Sequence, residues 1–120
     1  MPSKRVLLVE DEQSLSEIIL KMIEAFGLDG TGSESAKMAR SKLDEERFDL
    51  LIIDLTLPDM PGIELYKAIV EEKPEYRGKV VFTSGFTPDE ELEELLEKEN
   101  ITFLPKPFPI NKFKEIIENY

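Results

Sequence analysis

Asp49-Leu50-Leu51-Ile52-Ile53-Asp54 is the stretch on which the fold of this chain turns. Its apolar residues are continuous rather than alternating, which is the pattern of a strand buried on both faces of a sheet. The same kind of run opens the chain at Arg5-Val6-Leu7-Leu8-Val9 and returns at Lys79-Val80-Val81-Phe82-Thr83 and Ile101-Thr102-Phe103-Leu104. A further strand is expected at Leu28-Asp29-Gly30-Thr31-Gly32, where two glycines remove packing and add backbone entropy, so it reads as a short, weak edge.

Amphipathic stretches fill the intervals. Leu15, Ile19, Met22 and Phe26 recur at helical spacing, and Gly27 stands where a helix-terminating glycine belongs. Ala36 to Glu46 reads as a second helix, with Ala36, Ala39 and Leu43 inward and Ser33 or Ser35 as its cap. Pro61-Gly62 opens a third helix through about Glu72, carrying Ile63, Tyr66 and Ile69 or Val70. Thr87-Pro88-Asp89-Glu90 reads as a helix start, with Thr87 as N-cap and Pro88 at the first position. That helix turns Leu92, Leu95 and Leu96 inward. Ile110 to Tyr120 closes the chain as a helix with Ile110, Phe113, Ile116 and Ile117 buried. Strands alternating with helices give a parallel α/β sheet, helices on both faces, joined by right-handed crossovers. At 120 residues the chain is one domain, 1–120, and it stops as the last helix ends, so no output domain is expected to follow.

Composition narrows the chemistry. There is no Cys, hence no disulfide framework or thiolate site, and no His, hence no phosphohistidine, imidazole base or Ser-His-Asp triad. The net charge of −11 argues against direct nucleic-acid binding, because phosphate backbones would repel the chain. No apolar run approaches the roughly 20 residues that span a bilayer, and the stretch after Met1-Pro2-Ser3 is too short for a signal peptide. A cytoplasmic location without membrane contact is therefore expected.

In a parallel α/β sheet, ligands bind beyond the carboxyl ends of the strands. Glu10 and Asp11 end the first strand, Asp54 ends the strand at 49–54, Thr83 ends the next, and Lys106 follows the last. Singly, each has an ordinary reading: the acids as a helix N-terminus, Asp54 and Thr83-Ser84-Gly85 as turns. In order at successive strand ends, they describe a site. Three crowded carboxylates call for a counter-charge, and Mg²⁺ accepts carboxylate oxygens while retaining waters. Asp54 can then attack phosphorus as a carboxylate nucleophile, with Mg²⁺, the Lys106 ammonium and the Thr83 hydroxyl meeting the charge on the transferred oxygens.

Four motifs carry a resemblance. Val-Leu-Leu-Val-Glu-Asp-Glu (6–12), Asp-Leu-Leu-Ile-Ile-Asp-Leu-Thr-Leu-Pro-Asp-Met-Pro-Gly (49–62), Val-Val-Phe-Thr-Ser-Gly (80–85) and Phe-Leu-Pro-Lys-Pro-Phe (103–108) resemble the receiver domains of two-component response regulators, over essentially the whole chain. The resemblance implies a flavodoxin-like, five-stranded parallel sheet in the order 2-1-3-4-5. It implies Asp54 as phosphoacceptor, Mg²⁺ on Glu10, Asp11, Asp54 and the backbone carbonyl of Thr56, and Thr83 and Lys106 on the phosphoryl group. It implies Phe103 as a switch aromatic acting with Thr83, and a sensor histidine kinase or phosphotransfer protein as the phosphodonor, with the downstream protein or effector domain unspecified. Glu10 stands where Asp is more usual, and Pro109 stands where a capping Ser is common. On the first helix Ile18, flanked by Ser14 and Lys21, reads either as kinase-docking surface or as rim packing.

A Mg²⁺-dependent phosphohydrolase with an aspartyl nucleophile is the competing class. Haloacid-dehalogenase-like enzymes place that Asp after the first strand with a second Asp two residues on, whereas Thr56 holds that later position here. A flavodoxin-like cofactor binder fits less well, because Glu10-Asp11-Glu12 would repel a flavin phosphate.

Overall fold

The computed structural model describes residues 4–120; Met1, Pro2 and Ser3, part of the expected 1–120 domain, lie outside them. The apolar runs form parallel strands β1 (Arg5–Val9), β3 (Leu50–Asp54), β4 (Val80–Ser84) and β5 (Thr102–Pro105), joined by β2 (Asp29–Ser33). Their order is β2-β1-β3-β4-β5. Every residue of β3 and β4 is buried, as their unbroken apolar runs require. The glycine-containing β2 is the edge strand that its sequence predicts, paired with β1 from Arg5↔Asp29 to Val9↔Ser33.

Side chains alternate across the sheet and build two cores. Leu7, Val9, Leu51, Ile53, Val80 and Phe82 face α2 (Ala36–Glu45), α3 (Gly62–Glu72) and α4 (Glu90–Glu99). Val6, Leu8, Leu50, Ile52 and Val81 face α1 (Gln13–Ala25) and α5 (Ile110–Glu118). Full burial of one such Leu, Ile or Phe contributes about 1.5–3 kcal/mol, so the two cores together fix the strand ends that carry the site.

The helices depart from expectation in three places. On α1 the fully buried residues are Ile19 and Ile23; Leu15, Met22 and Phe26 flank them half-buried, because the line i, i+4 runs down the centre of the stripe. Gly27 does end the helix, with φ +81°, and Leu28 N–H donates to the Ile23 carbonyl at 3.1 Å. On α4 the N-cap is Asp89, not Thr87: its Oδ1 accepts from Leu92 N–H at 2.9 Å. Glu90, Glu91 and Glu93 then occupy the first turn, where negative charge complements the helix dipole, so the start slips past Thr87-Pro88. On α5 Ile110 is 55% exposed, since at the first helical position it precedes the Phe113, Ile116 and Ile117 stripe that packs. Pro109 provides no side-chain cap there.

Helix α2 is capped twice. Ser35 accepts from Met38 N–H at 3.1 Å, as one of the two serines was expected to do. Asp59, from the loop after β3, accepts from Ala36 N–H at 3.0 Å and Lys37 N–H at 2.9 Å. Those two amides hold the Asp59 carboxyl below its usual range. The loop that follows the Asp54 strand is thereby tied to a neighbouring helix. No helix among the described residues is long and apolar enough to cross a membrane.

Candidate phosphoacceptor site

Because β1 and β3 are neighbours while β2 lies on the other side of β1, the strand order switches where β1 and β3 end. Glu10 and Asp11 follow β1 at that point and Asp54 ends β3. Carboxylate oxygens of Glu10, Asp11 and Asp54 all lie within 4.8 Å of one another. Glu10 and Asp54 are buried at 2% and 5% exposure, whereas Asp11 faces solvent.

Lys106 reaches this cluster from beyond β5. Its Nζ donates to Glu10 Oε1 at 2.6 Å and to Asp54 Oδ2 at 2.9 Å. Its own backbone N–H donates to the Ser84 carbonyl at 2.8 Å, which anchors the end of β5 on β4. The peptide between Lys106 and Pro107 is cis. The second Asp54 oxygen, Oδ1, accepts from Thr56 N–H at 2.9 Å. Glu10 Oε2 accepts from Glu12 N–H at 3.1 Å. Thr83, 2% exposed, is the register partner of Asp54 across β3 and β4, so its side chain starts at the same level of the sheet. Thr56 itself is exposed, one residue past Leu55.

The electrostatics follow from burial and pairing. Burial pushes the Glu10 carboxyl up, against the hydrogen bonds from Lys106 and Glu12. Burial pulls Lys106 down, but its bonds to Glu10 and Asp54 outweigh that and hold its pKa above the ordinary lysine value. The ammonium therefore stays protonated and pairs with two of the three carboxylates, offsetting one negative charge. The remaining charge is negative, the donors are all oxygen, and Asp11 is open to water. Such a set suits a hard divalent cation that keeps part of its hydration shell.

Phe103 lies half-buried on β5 against the core beneath α4, opposite Phe82 in register. Ile18 is 55% exposed on α1. Of the residues proposed from the sequence, the carboxylates of Glu10, Asp11 and Asp54 thus converge with the Lys106 ammonium beside them, and Thr56 is tied to Asp54 through its N–H. Sequence reasoning missed two supports of the site. Gly62 lies so close to β3 that a Cβ there would stand 2.4 Å from the Asp54 carbonyl oxygen and 2.8 Å from Leu55 Cα. Its N–H donates to the Leu55 carbonyl at 2.9 Å, closing the loop from 55 to 62 back onto the strand. The other is Ser84, buried at 1%, whose hydroxyl accepts from Phe86 N–H at 3.1 Å and shapes the loop after Thr83. The Pro61-Gly62 pair carried a signal for the first, read only as a helix start; Thr83-Ser84-Gly85 carried one for the second, read only as a turn, since the Ser84 hydroxyl bonds an amide two residues on.

Comparison with known proteins agrees with this architecture. The response regulator receiver domain family matches residues 6–118. The response regulator receiver protein CpdR of Brucella abortus is 32% identical over 120 residues, spanning 96% of this chain and 94% of that protein. The transcriptional regulatory protein CrdR of Helicobacter pylori is 28% identical over 98% of this chain, which spans 54% of that longer protein. A CheY-like receiver domain from Methylobacillus flagellatus superposes with a TM-score of 0.84 at 28% identity, covering 98% of both chains. With its fold, its strand-end acidic cluster and a family match across nearly its whole length, the chain belongs to the response regulator receiver domains of two-component signalling.

Proposed function

We propose that the chain is a single receiver domain that takes one phosphoryl group on Asp54 from a histidine kinase or phosphotransfer protein, with Mg²⁺ as cofactor. The observation that carries this reading is the paired anchorage of Asp54: Oδ2 on the Lys106 ammonium at 2.9 Å and Oδ1 on Thr56 N–H at 2.9 Å. Both contacts fix the orientation of the carboxylate, which an oxygen nucleophile requires.

Glu10, Asp11, Asp54 and the Thr56 backbone carbonyl would hold Mg²⁺. When bound, the ion supplies positive charge to the acidic cluster and to the phosphoryl oxygens. In the transfer, an Asp54 oxygen forms the new bond to phosphorus as the bond to the donor breaks, and the donor leaves with that electron pair. Lys106 exchanges its contact with Asp54 for one with a phosphoryl oxygen, and the Thr83 hydroxyl donates to another. Phosphate on Asp54 thereby draws Thr83 toward it and frees space for Phe103 to turn inward from β5. The altered face is read by another domain or protein. Exposed Ile18, between Ser14 and Lys21, fits the docking of the donor.

A switch module and a phosphohydrolase share this chemistry but differ in turnover. Incubation with a small-molecule phosphodonor and Mg²⁺ separates them. The module yields at most one phosphoryl group per chain, with slow release; sustained release of many equivalents would replace this reading with a hydrolase.

A further inference from the structure

Between α3 and α4 lies an open groove of about 590 Å³ that the phosphoacceptor chemistry does not use. Its lining includes Leu55, Pro61 and Ile63 on the α3 side and Phe86, Leu92 and Leu95 on the α4 side. Phe86 is 52% exposed, a large ring left in water at the head of the groove. An apolar groove between two helices, with an unburied aromatic, has the form of a seat for an amphipathic helix.

The charges on its rim are sorted along its length. Both helices start at the carboxyl edge of the sheet, so residues early in α3 and α4 lie nearer the phosphoacceptor and later ones farther from it. Asp89, Glu91 and Glu94 occupy the near part of the α4 rim. Lys98 occupies the far part, about 10 Å beyond Glu91 at 1.5 Å per residue, while Lys67 stands at the middle of α3, about level with Glu94. Among the described residues, none of Glu91, Glu94, Lys67 and Lys98 takes part in an ion pair. Their charges remain available to an occupant.

We propose that this groove docks an amphipathic helix of a partner protein, antiparallel to α3 and α4. Its apolar stripe covers Phe86 and Leu95, its acidic N-terminal turn meets Lys98, and its basic C-terminal turn meets Glu91 and, one turn on, Glu94. A helix prefers acids in its first turn and bases in its last, so the groove selects the polarity a stable helix already has. A groove bordered by α3, itself about three turns long, sets the length of the seat. The inference does not depend on Asp54 chemistry, because it concerns the unphosphorylated protein.

The test is an amide NMR titration of the full chain with two synthetic peptides of about four turns each. Both carry Leu at i, i+3, i+4 and i+7. One has Glu in the first turn and Lys in the last; the other has these exchanged. The first should produce saturable shifts at Ile63, Lys67, Phe86 and Leu95, and bind about tenfold tighter than the second. Because the second peptide is also the poorer helix, the same pair is measured on Glu91→Gln/Glu94→Gln, whose altered residues are exposed. There the affinity ratio should fall several-fold while both circular dichroism and fold are retained. An unchanged ratio, shifts confined to α1 and α5, or no saturable binding would overturn the proposal. Concentration-dependent dimerisation of the chain alone, relieved by Phe86→Ser, would assign the groove to a second copy instead.

Discussion

Gly62 and Asp54 touch through their backbones: a methyl group on Gly62 would stand 2.4 Å from the Asp54 carbonyl oxygen. The start of α3 is thus pressed against the strand end that carries Asp54, the proposed phosphoacceptor. Gly62→Ala should force the loop 55–62 outward, cost about 1–3 kcal/mol as overpacking does, and slow phosphorylation by moving Thr56 N–H away from Asp54. Urea unfolding and phosphodonor labelling check both effects; unchanged values in both would mean the contact is loose in solution.

Tyr66 offers a pH dependence. It is buried at 1%, donates to Glu99 Oε1 at 2.9 Å, and stacks edge-on to Phe82. Arg77 Nη1 meets the same Glu99 oxygen at 2.9 Å, so α3, α4 and the approach to β4 are tied at one point. Burial first, then the bond to Glu99, pushes the Tyr66 hydroxyl up to about 12 from 10.0. Below pH 10 folded and unfolded chains both keep that proton and the contribution is intact. Between about 10 and 12 the unfolded chain loses it first, so stability falls as pH rises. Tyr66→Phe should lose about 1 kcal/mol at neutral pH and show a shallower decline from pH 10 upward. Parallel curves for the two proteins over that range would contradict this account.

Asp11 is exposed and carries no structural load comparable to Glu10, yet its carboxylate completes the acidic cluster. Asp11→Ala should leave the melting temperature nearly unchanged while weakening Mg²⁺ binding about tenfold or more. Calorimetric titration with Mg²⁺ reads this directly. Equal affinity in the variant would put the metal elsewhere.

The path out of the site is read by NMR. Beryllofluoride, a stable mimic of the aspartyl phosphate, should shift Phe103 and residues 87–99 as well as the neighbours of Asp54. An inward Phe103 gains apolar burial of about 1–2 kcal/mol, small enough that the unmodified chain already samples that state in a minor fraction. Shifts limited to residues touching Asp54 would remove Phe103 from the switch.

The strand ends were readable from sequence because each is a local apolar run that stops at a polar residue: Val9 before Glu10-Asp11, Ile53 before Asp54, Phe82 before Thr83. The parallel-sheet rule then brings those ends together without knowledge of any contact. What sequence did not show depends on partners distant along the chain. Asp59 caps α2 through amides 22 and 23 residues away, and Glu99 gathers Tyr66 and Arg77 from 33 and 22 residues away. The start of α4 was misplaced because Thr87-Pro88 and Asp89 both offer capping chemistry, and only the Asp89 bond to Leu92 N–H decides between them. Ile110 was placed inside because periodicity carries no information about where packing begins.

The most direct measurement is the mass of the intact protein after treatment with a small phosphodonor and Mg²⁺, for the parent and for Asp54→Asn. The parent should gain one acid-labile phosphoryl group, mapped to Asp54 after trapping and peptide analysis. The Asn variant should gain none, while its stability without Mg²⁺ is equal or higher, because one of three crowded carboxylates is gone and Lys106 still pairs with Glu10 at 2.6 Å. A phosphoryl group that persists in Asp54→Asn, or that maps to another residue in the parent, would contradict the assignment of Asp54 as the phosphoacceptor.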